Sequence, residues 1–151
     1  MRITAGSNTY AWIDNWDKIL QSQSDQTDWA HHGLVITKSG DIVTYQQSDS
    51  AITILDVEGH IKQTWSIPVT DAHGITIVEE DNVEYLWIAD NGSKRIANLN
   101  YEYPTGNRTG QVLKVTMSGE LVMRIEKPDV EVYQKEEYSP TWIAVNEKRH
   151  G

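Results

Sequence analysis

The stretch from His31 to Val43 reads HHGLVITKSGDIV, and the stretch from Ala72 to Gly92 reads AHGITIVEEDNVEYLWIADNG. Each contains His-Gly, then an alternating apolar run, a polar turn and a second apolar run. Such alternation is typical of a half-buried β-strand, and a polar turn between two such runs indicates a hairpin. The chain therefore repeats one hairpin design, with a histidine leading each copy.

Outward from these hairpins, the sequence continues in series of four strands. The first series is predicted at residues 33–37, 42–46, 51–56 and 61–67, and it ends at Pro68, which cannot donate to a β-ladder. The second series is predicted at residues 74–78, 85–90, 111–116 and 121–126. A third series opens with one strand at 142–145 in SPTWIAV. The only helical pattern lies at 14–23, DNWDKILQSQ.

The two full series align in register. His32 corresponds to His73, 41 residues later, and Thr141 takes the same position in the third series. Four strands repeated at about 40 residues are typical of a β-propeller blade, whereas a simple hairpin meander with chance similarity is the alternative. We expect an all-β single domain over 1–151, a half β-propeller of about three four-stranded antiparallel blades. The blades fall at about 32–69 and 73–128, with a partial blade from 139 that residues 9–13 could help to close.

Composition narrows the class of protein further. The 151 residues suit one domain, and the net charge of −9 argues against a nucleic-acid partner, whose phosphates need clustered Lys and Arg. The sequence contains no cysteine, so disulfides and thiolate chemistry are excluded. No run approaches the roughly 20 apolar residues that span a bilayer, and no secretory signal is visible, so we expect a cytoplasmic protein without a membrane partner.

The repeat has a family resemblance. At HGITIVEE, YLWIADNGSKRI and SPTWIAVNE the chain resembles NHL-type six-bladed β-propellers. Its His-Gly openings, WIDNW and YEYP are similar to bacterial relatives of peptidyl-α-hydroxyglycine α-amidating lyase. The resemblance implies a propeller fold, zinc and calcium as cofactors, and three zinc-binding histidines. Only His32 and His73 are placed among those three in this sequence.

Two and a fraction blades cannot close a ring. A blade buries its faces against neighbouring blades, so an open half-ring would leave apolar faces in water. Exposing several hundred Å² at about 25 cal/mol per Å² forgoes on the order of 10 kcal/mol, comparable to the stability of a domain. We therefore expect completion by dimerisation, as a homodimer or higher homo-oligomer. The alternative is that the chain is a fragment of a longer propeller.

The leading histidines are the candidate metal ligands. At the start of each first strand, His32 and His73 would point at one axis, and two copies of the chain would bring four imidazoles together. Four nitrogens suit Zn, Ni or Cu better than Ca. In the alternative interpretation, each histidine ring forms a hydrogen bond to a neighbouring blade and no metal is bound.

Five further residues are candidates for ligand binding. Asp90 either caps a turn with its side chain or contacts calcium or substrate. The resemblance implies an Arg that grips a substrate carboxylate and a Tyr beside zinc, and Arg95 and Tyr45 are the choices nearest the repeat. Tyr101 and Tyr103 lie in the polar insertion 98–110, a long loop suited to recognition or to a dimer contact.

These features predict an oligomeric propeller-like binding protein with a metal or ligand site at the channel mouth. A small molecule or a peptide is the expected ligand. The alternative is a metal-dependent lyase or hydrolase similar to the amidating lyases. Because the third histidine is missing, and no Ser-His-Asp spacing, phosphate loop or paired Glu is visible, the non-catalytic role is favoured.

Overall fold

The computed structural model describes residues 1–17, 32–46, 50–93, 109–135 and 137–146. The described chain is all-β, in three antiparallel sheets, as the sequence predicts. Its elements are β1 (Arg2–Ala5), β2 (Asn8–Ala11), β3 (Leu34–Ile36), β4 (Ile42–Gln46), β5 (Ala51–Leu55), β6 (Ile61–Ser66), β7 (Ala72–Glu80), β8 (Val83–Asp90), β9 (Gln111–Thr116), β10 (Leu121–Ile125) and the short helix α1 (Glu131–Lys135).

Two of the sheets are four-stranded meanders. The first has the order β3-β4-β5-β6, and the second has the order β7-β8-β9-β10. All eight strands of the two predicted series are present, although β7 is longer at both ends than expected. Val43 pairs with Ile54 in the first sheet and Ile88 with Leu113 in the second.

Two turns at equivalent places in the two sheets, β5–β6 and β9–β10, share one geometry, and the β3–β4 turn has it as well. Gly40, Gly59 and Gly119 all have positive φ, a conformation that glycine adopts without steric cost. In the β5–β6 turn Gly59 N donates to Asp56 O, and in the β9–β10 turn Gly119 N donates to Thr116 O. The repeat therefore extends from the strands to the detail of their turns.

The β7–β8 hairpin has a different turn. Asp81 and Asn82 lie between the two strands with φ of 49° and 64°. A two-residue loop with both central φ values positive is the type I′ geometry, whose twist matches that of the flanking strands. Asp and Asn tolerate this conformation better than other residues with a side chain.

The hydrophobic core lies between the two four-stranded sheets. One cluster joins residues of both sheets, and its most buried members have at most 1% of their surface exposed; they are Val43, Ile52, Ala72, Ile75, Leu86, Ile88, Leu113 and Val115. On β4 the side chains alternate between buried and half-buried, as expected for a strand with one face on a core. The two sheets therefore stabilise each other face to face.

A third layer is formed by the 141–146 segment. Ile143 and Val145 pack against a cluster of Val78, Trp87 and Val112 on the second sheet. Thr76 Oγ1 donates to Ile143 O at 2.8 Å. The segment contains the strand predicted at 142–145, but it has no ladder partner among the described residues. It is one layer against the second sheet and not a complete third sheet.

Two short elements differ from the expectations. Residues 9–13 were expected to help close the partial blade, but Asn8–Ala11 pairs instead with β1 in an exposed hairpin. α1, for which the sequence shows no helical period, lies in the connection between β10 and the 141–146 segment. Residues 14–17 are not helical, and the rest of the helix predicted at 14–23 lies outside the described residues.

No closed ring of sheets is formed by the parts of the chain that the structure describes. In the same ranges, no helix combines the length and apolar character that membrane crossing requires.

Candidate functional site

His32 lies immediately before β3 and is buried against the start of the second sheet. Its side chain is 9% exposed, and its Nδ1 lies 3.3 Å from Oδ1 of Asp71, whose side chain is 11% exposed. This distance allows an electrostatic contact, but the atoms are not aligned for a hydrogen bond. In the part of the chain that the structure describes, both ring nitrogens of His32 and Oδ1 of Asp71 are buried and have no hydrogen-bond partner. Such atoms are rare in folded proteins because burial of an unsatisfied polar group costs free energy.

Tyr45, on β4, forms the wall beside His32. The two rings meet edge to face with centroids 4.9 Å apart, and the Tyr45 hydroxyl donates to Val69 O at 3.4 Å. Burial raises the pKa of this hydroxyl, a hydrogen bond with Ser50 lowers it, and the nearby carboxylates of Asp90 and Asp71 raise it. The net shift is upward, so the phenol stays neutral and keeps its proton at physiological pH.

Asp90, at the end of β8, has a carboxylate that is fully engaged by donors. Oδ1 accepts from the backbone N–H of Thr70, Asp71 and Gly92 at 3.0–3.1 Å. Oδ2 accepts from Gln111 Nε2 at 3.0 Å and also from Thr70 N at 3.1 Å. The bond to Gly92 caps the turn, which was the first of the two roles considered for Asp90. The other bonds hold the segment before β7 in place.

Asp71 is therefore positioned from two sides. Its backbone N–H is held by Asp90, and its Oδ2 accepts from Asn91 Nδ2 at 3.1 Å. Its backbone oxygen accepts from His73 N and Asn91 N. These bonds leave Oδ1 directed at the ring of His32. Sequence analysis missed Asp71, although an acidic residue two positions before the second His-Gly was a visible signal.

His73 is the residue of the second sheet that corresponds to His32, and its ring contacts the 141–146 segment. Nδ1 lies 3.2 Å from Thr141 O. Because a carbonyl oxygen only accepts, the proton of this bond is on Nδ1, and Nε2 of the neutral ring carries the free lone pair. The hydrogen bond to a neighbouring layer is what the metal-free interpretation expects. It is also compatible with metal binding through Nε2.

The two histidines thus fit a metal in one respect. Metal-binding histidines usually donate the second ring N–H to a carboxylate or a backbone carbonyl. His73 does so toward Thr141, and the Nδ1 of His32 lies near the Asp71 carboxylate without a hydrogen bond. In another respect one chain falls short, because the described residues contain no group of three His, Cys, Asp or Glu side chains that could hold a metal ion. Any complete site needs further ligands.

The structure brings together three of the predicted site residues, His32, Tyr45 and Asp90, around Asp71. Arg95, Tyr101 and Tyr103 lie outside the described residues, so their predicted roles stay predictions. Gln111 was also missed by sequence analysis. Its amide joins Asp90 Oδ2 to Pro68 O, a role that depends on tertiary contacts that no local pattern shows.

A polar cleft of about 300 Å³ lies at the other end of β3, beside the β3–β4 turn. Its charged groups already bind one another: Lys62 Nζ donates to Asp41 Oδ2 at 2.6 Å, and Glu84 accepts from Lys38 N at 2.7 Å. Groups satisfied in this way have little left to offer a ligand. The buried cluster around His32 is therefore the stronger candidate site.

Comparisons of the chain with protein-family models, with curated proteins and with solved structures find no match.

Proposed function

We propose that this protein is an oligomeric, propeller-like binding protein whose ligand site is a transition-metal site formed by His32 and His73. The observation that carries the proposal is the buried ring of His32, whose Nε2 has no hydrogen-bond partner among the described residues while Nδ1 faces the Asp71 carboxylate. A buried polar atom without a partner calls for an unseen water, ion or ligand. A neutral imidazole beside a carboxylate is suited to a divalent transition metal.

The proposed oligomer would supply the missing ligands. One chain provides at most two imidazoles, and no three potential ligands are grouped among its described residues. In a half-propeller completed by a second copy, the equivalent histidines of both copies would surround one axis. Four nitrogen ligands would favour Zn, Ni or Cu over Ca.

A binding role agrees better with the site than catalysis does. Lyase or hydrolase chemistry needs a group that accepts a proton near the substrate. Tyr45, which forms one wall of the site, has a raised pKa and therefore remains protonated. The Asp71 carboxylate faces His32 and would orient this metal-binding ring. Asp90 is occupied by backbone donors. A metal held by the histidines would polarise an oxygen atom of a bound small molecule or peptide. In this proposal the interaction binds the ligand and does not activate it for a reaction.

Metal analysis tests the proposal. Protein purified without a histidine tag should retain zinc, or bind Zn²⁺ tightly by calorimetry after treatment with a chelator. His32→Ala and His73→Ala should each weaken binding strongly because each removes a ligand. Asp71→Asn should weaken Zn²⁺ binding about 10–100-fold, as loss of a partner of a metal-binding histidine does.

The matched control is His60→Ala. His60 lies in the exposed β5–β6 turn, where its ring contacts Asp56, and its removal should leave Zn²⁺ binding unchanged. The proposal fails if the purified protein holds no metal and Zn²⁺ affinity is the same for wild type, His32→Ala and His73→Ala.

A further inference from the structure

Asn91 and Gly92 form the only Asn-Gly pair in the sequence, and they follow β8 directly beside the candidate site. In such a pair the backbone nitrogen of glycine can attack the side-chain carbonyl carbon of asparagine, because glycine has no side chain to hinder the approach. A ring closes through the new C–N bond, and the side-chain NH₂ leaves as ammonia with the proton of the glycine nitrogen. Water then opens this succinimide to aspartate or isoaspartate. Asn-Gly is therefore a chemically labile sequence.

Two observations require glycine at position 92. Its φ is 76°, a conformation that glycine adopts without steric cost. An added methyl group would also collide with the backbone of Thr109 and Gly110. A bulkier residue, which would slow the attack by hindering it, is therefore excluded here by backbone conformation and by lack of space.

Asparagine at position 91 uses both halves of its side-chain amide. Nδ2 donates to Asp71 Oδ2 at 3.1 Å, and Oδ1 accepts from Ser93 N at 2.9 Å. An aspartate in this place could still accept from Ser93 but has no N–H to donate to Asp71. It would instead place a second carboxylate against the first. The contacts of the fold therefore call for the amide that is open to attack.

In the folded chain the same contacts oppose the reaction. The attack needs the nitrogen of Gly92 to lose its proton and the side chain of Asn91 to rotate toward it. Gly92 N donates to Asp90 Oδ1 at 3.0 Å, so loss of this proton would place a negative nitrogen beside a buried carboxylate. The bonds to Asp71 and Ser93 hold the side-chain amide in one orientation. The N–H of Ser93 would favour a negative Oδ1, but two buried carboxylates oppose the added charge.

We propose that Asn91 is a modification site that the folded structure protects and that reacts when the segment around it opens. Asp90 is assigned the protection of the Gly92 nitrogen. The reaction is irreversible, because the product carboxylate at position 91 cannot donate to Asp71 and the original contacts cannot form again. Since Asp71 faces His32, the change would reach the candidate site. The inference goes beyond the proposed function and does not rest on metal binding.

Incubation of the wild type in native buffer and in concentrated urea, at one pH and temperature, tests the protection. Peptide mass spectrometry measures conversion of Asn91 to aspartate and isoaspartate. Conversion should be about tenfold or more slower in native buffer, because it requires an opening that breaks several hydrogen bonds. Asn82 is the internal control: Val83 follows it, so the branched side chain should keep its conversion slow in both conditions. A native rate at Asn91 that equals or exceeds the rate in urea overturns the proposal.

Asp90→Ala tests the residue that is assigned the protection. In native buffer it should raise conversion of Asn91 about tenfold, because the Gly92 N–H loses its acceptor. Ile52→Ala is the control, since it destabilises the core between the sheets and leaves the contacts of Asn91 in place. Circular dichroism checks that both variants are folded during incubation. Equal acceleration in both variants would show that general opening sets the rate and would overturn the assignment to Asp90.

Asn91→Asp carries the product carboxylate from the start. Its midpoint of thermal unfolding should lie about 3 °C or more below that of the wild type, because Asp71 loses a donor and meets a like charge. Asn82→Asp is the matched control, since it adds the same charge in the exposed β7–β8 turn, and it should stay close to the wild type. Equal midpoints for the two variants would mean that modification of Asn91 does not disturb Asp71, which overturns the link to the candidate site.

Discussion

Asp90 and Asp71 are buried side by side, yet their carboxylates have different surroundings. Asp90 is 2% exposed and its two oxygens accept bonds from three backbone N–H groups and one side-chain amide. Asp71 has one oxygen bound to Asn91, and its other oxygen faces only the ring of His32. A carboxylate that is fully satisfied stabilises structure, whereas one with spare capacity in a buried place is suited to a ligand.

Asp90→Ala should lower the free energy of unfolding by about 3 kcal/mol or more, because it leaves several buried donors without an acceptor at about 1–3 kcal/mol each. Chemical denaturation followed by tryptophan fluorescence measures the change. Glu58→Ala, which removes an exposed carboxylate in the β5–β6 turn, should stay within about 0.5 kcal/mol of wild type. Equal stability of Asp90→Ala and Glu58→Ala would show that the Asp90 bonds do not hold the loop before β7.

Among the elements, the first strands of the two four-stranded sheets share a glycine at the same position of the repeat. Gly33 and Gly74 lack a positive φ, so conformational freedom does not explain them. The lack of space for a side chain explains these glycines, because an added methyl group would meet the backbone of the next layer at both positions. Glycine here permits the close approach that joins one layer to the next.

Substitution of these two glycines should have separable effects. Gly33→Ala should destabilise the whole fold by about 1–3 kcal/mol, since it forces apart the two sheets that share the core. Gly74→Ala should act mainly on the 141–146 segment, which should exchange its amide hydrogens faster in mass-spectrometric hydrogen exchange. Gly6→Ala, where a methyl group meets nothing within 4 Å, should change only the β1–β2 hairpin. Wild-type exchange at 141–146 in Gly74→Ala would contradict the close packing.

How far the sequence could predict these elements depended on burial. The eight strands of the two sheets were predicted because each has at least one face on a core and therefore alternates. β1 and α1 were missed, and the strand expected at 9–13 was assigned the wrong partner, because these elements are short and largely exposed, so no packed face imposes a period on them. Of the candidate site, the histidines and Asp90 followed from the repeat. Asp71 was missed although its place before the second His-Gly was visible, and Gln111 could not be predicted because its contact with Pro68 joins residues 43 positions apart.

For the whole molecule, the main feature is a contact that joins successive layers. Two such contacts are present among the described residues, and each buries apolar residues on one side of a first strand. Leu34 on the first sheet and Trp142 on the 141–146 segment are exposed apolar side chains. Exposed apolar side chains that form a patch often mark an interaction site, and the proposed second copy would bind at such a place.

If folding and association are coupled in this way, thermal stability must depend on protein concentration. Mass action favours a dimer at higher concentration, so the midpoint of thermal unfolding should rise by about 2 °C for each tenfold increase in concentration. Leu34→Asp should lower the midpoint and abolish its dependence on concentration, because the separated chains unfold independently. Val57→Asp, in the exposed β5–β6 turn, should keep the wild-type slope. Differential scanning fluorimetry across a wide concentration range measures these midpoints. A wild-type midpoint that stays constant from the lowest to the highest concentration would mean that the folded state does not require the second copy.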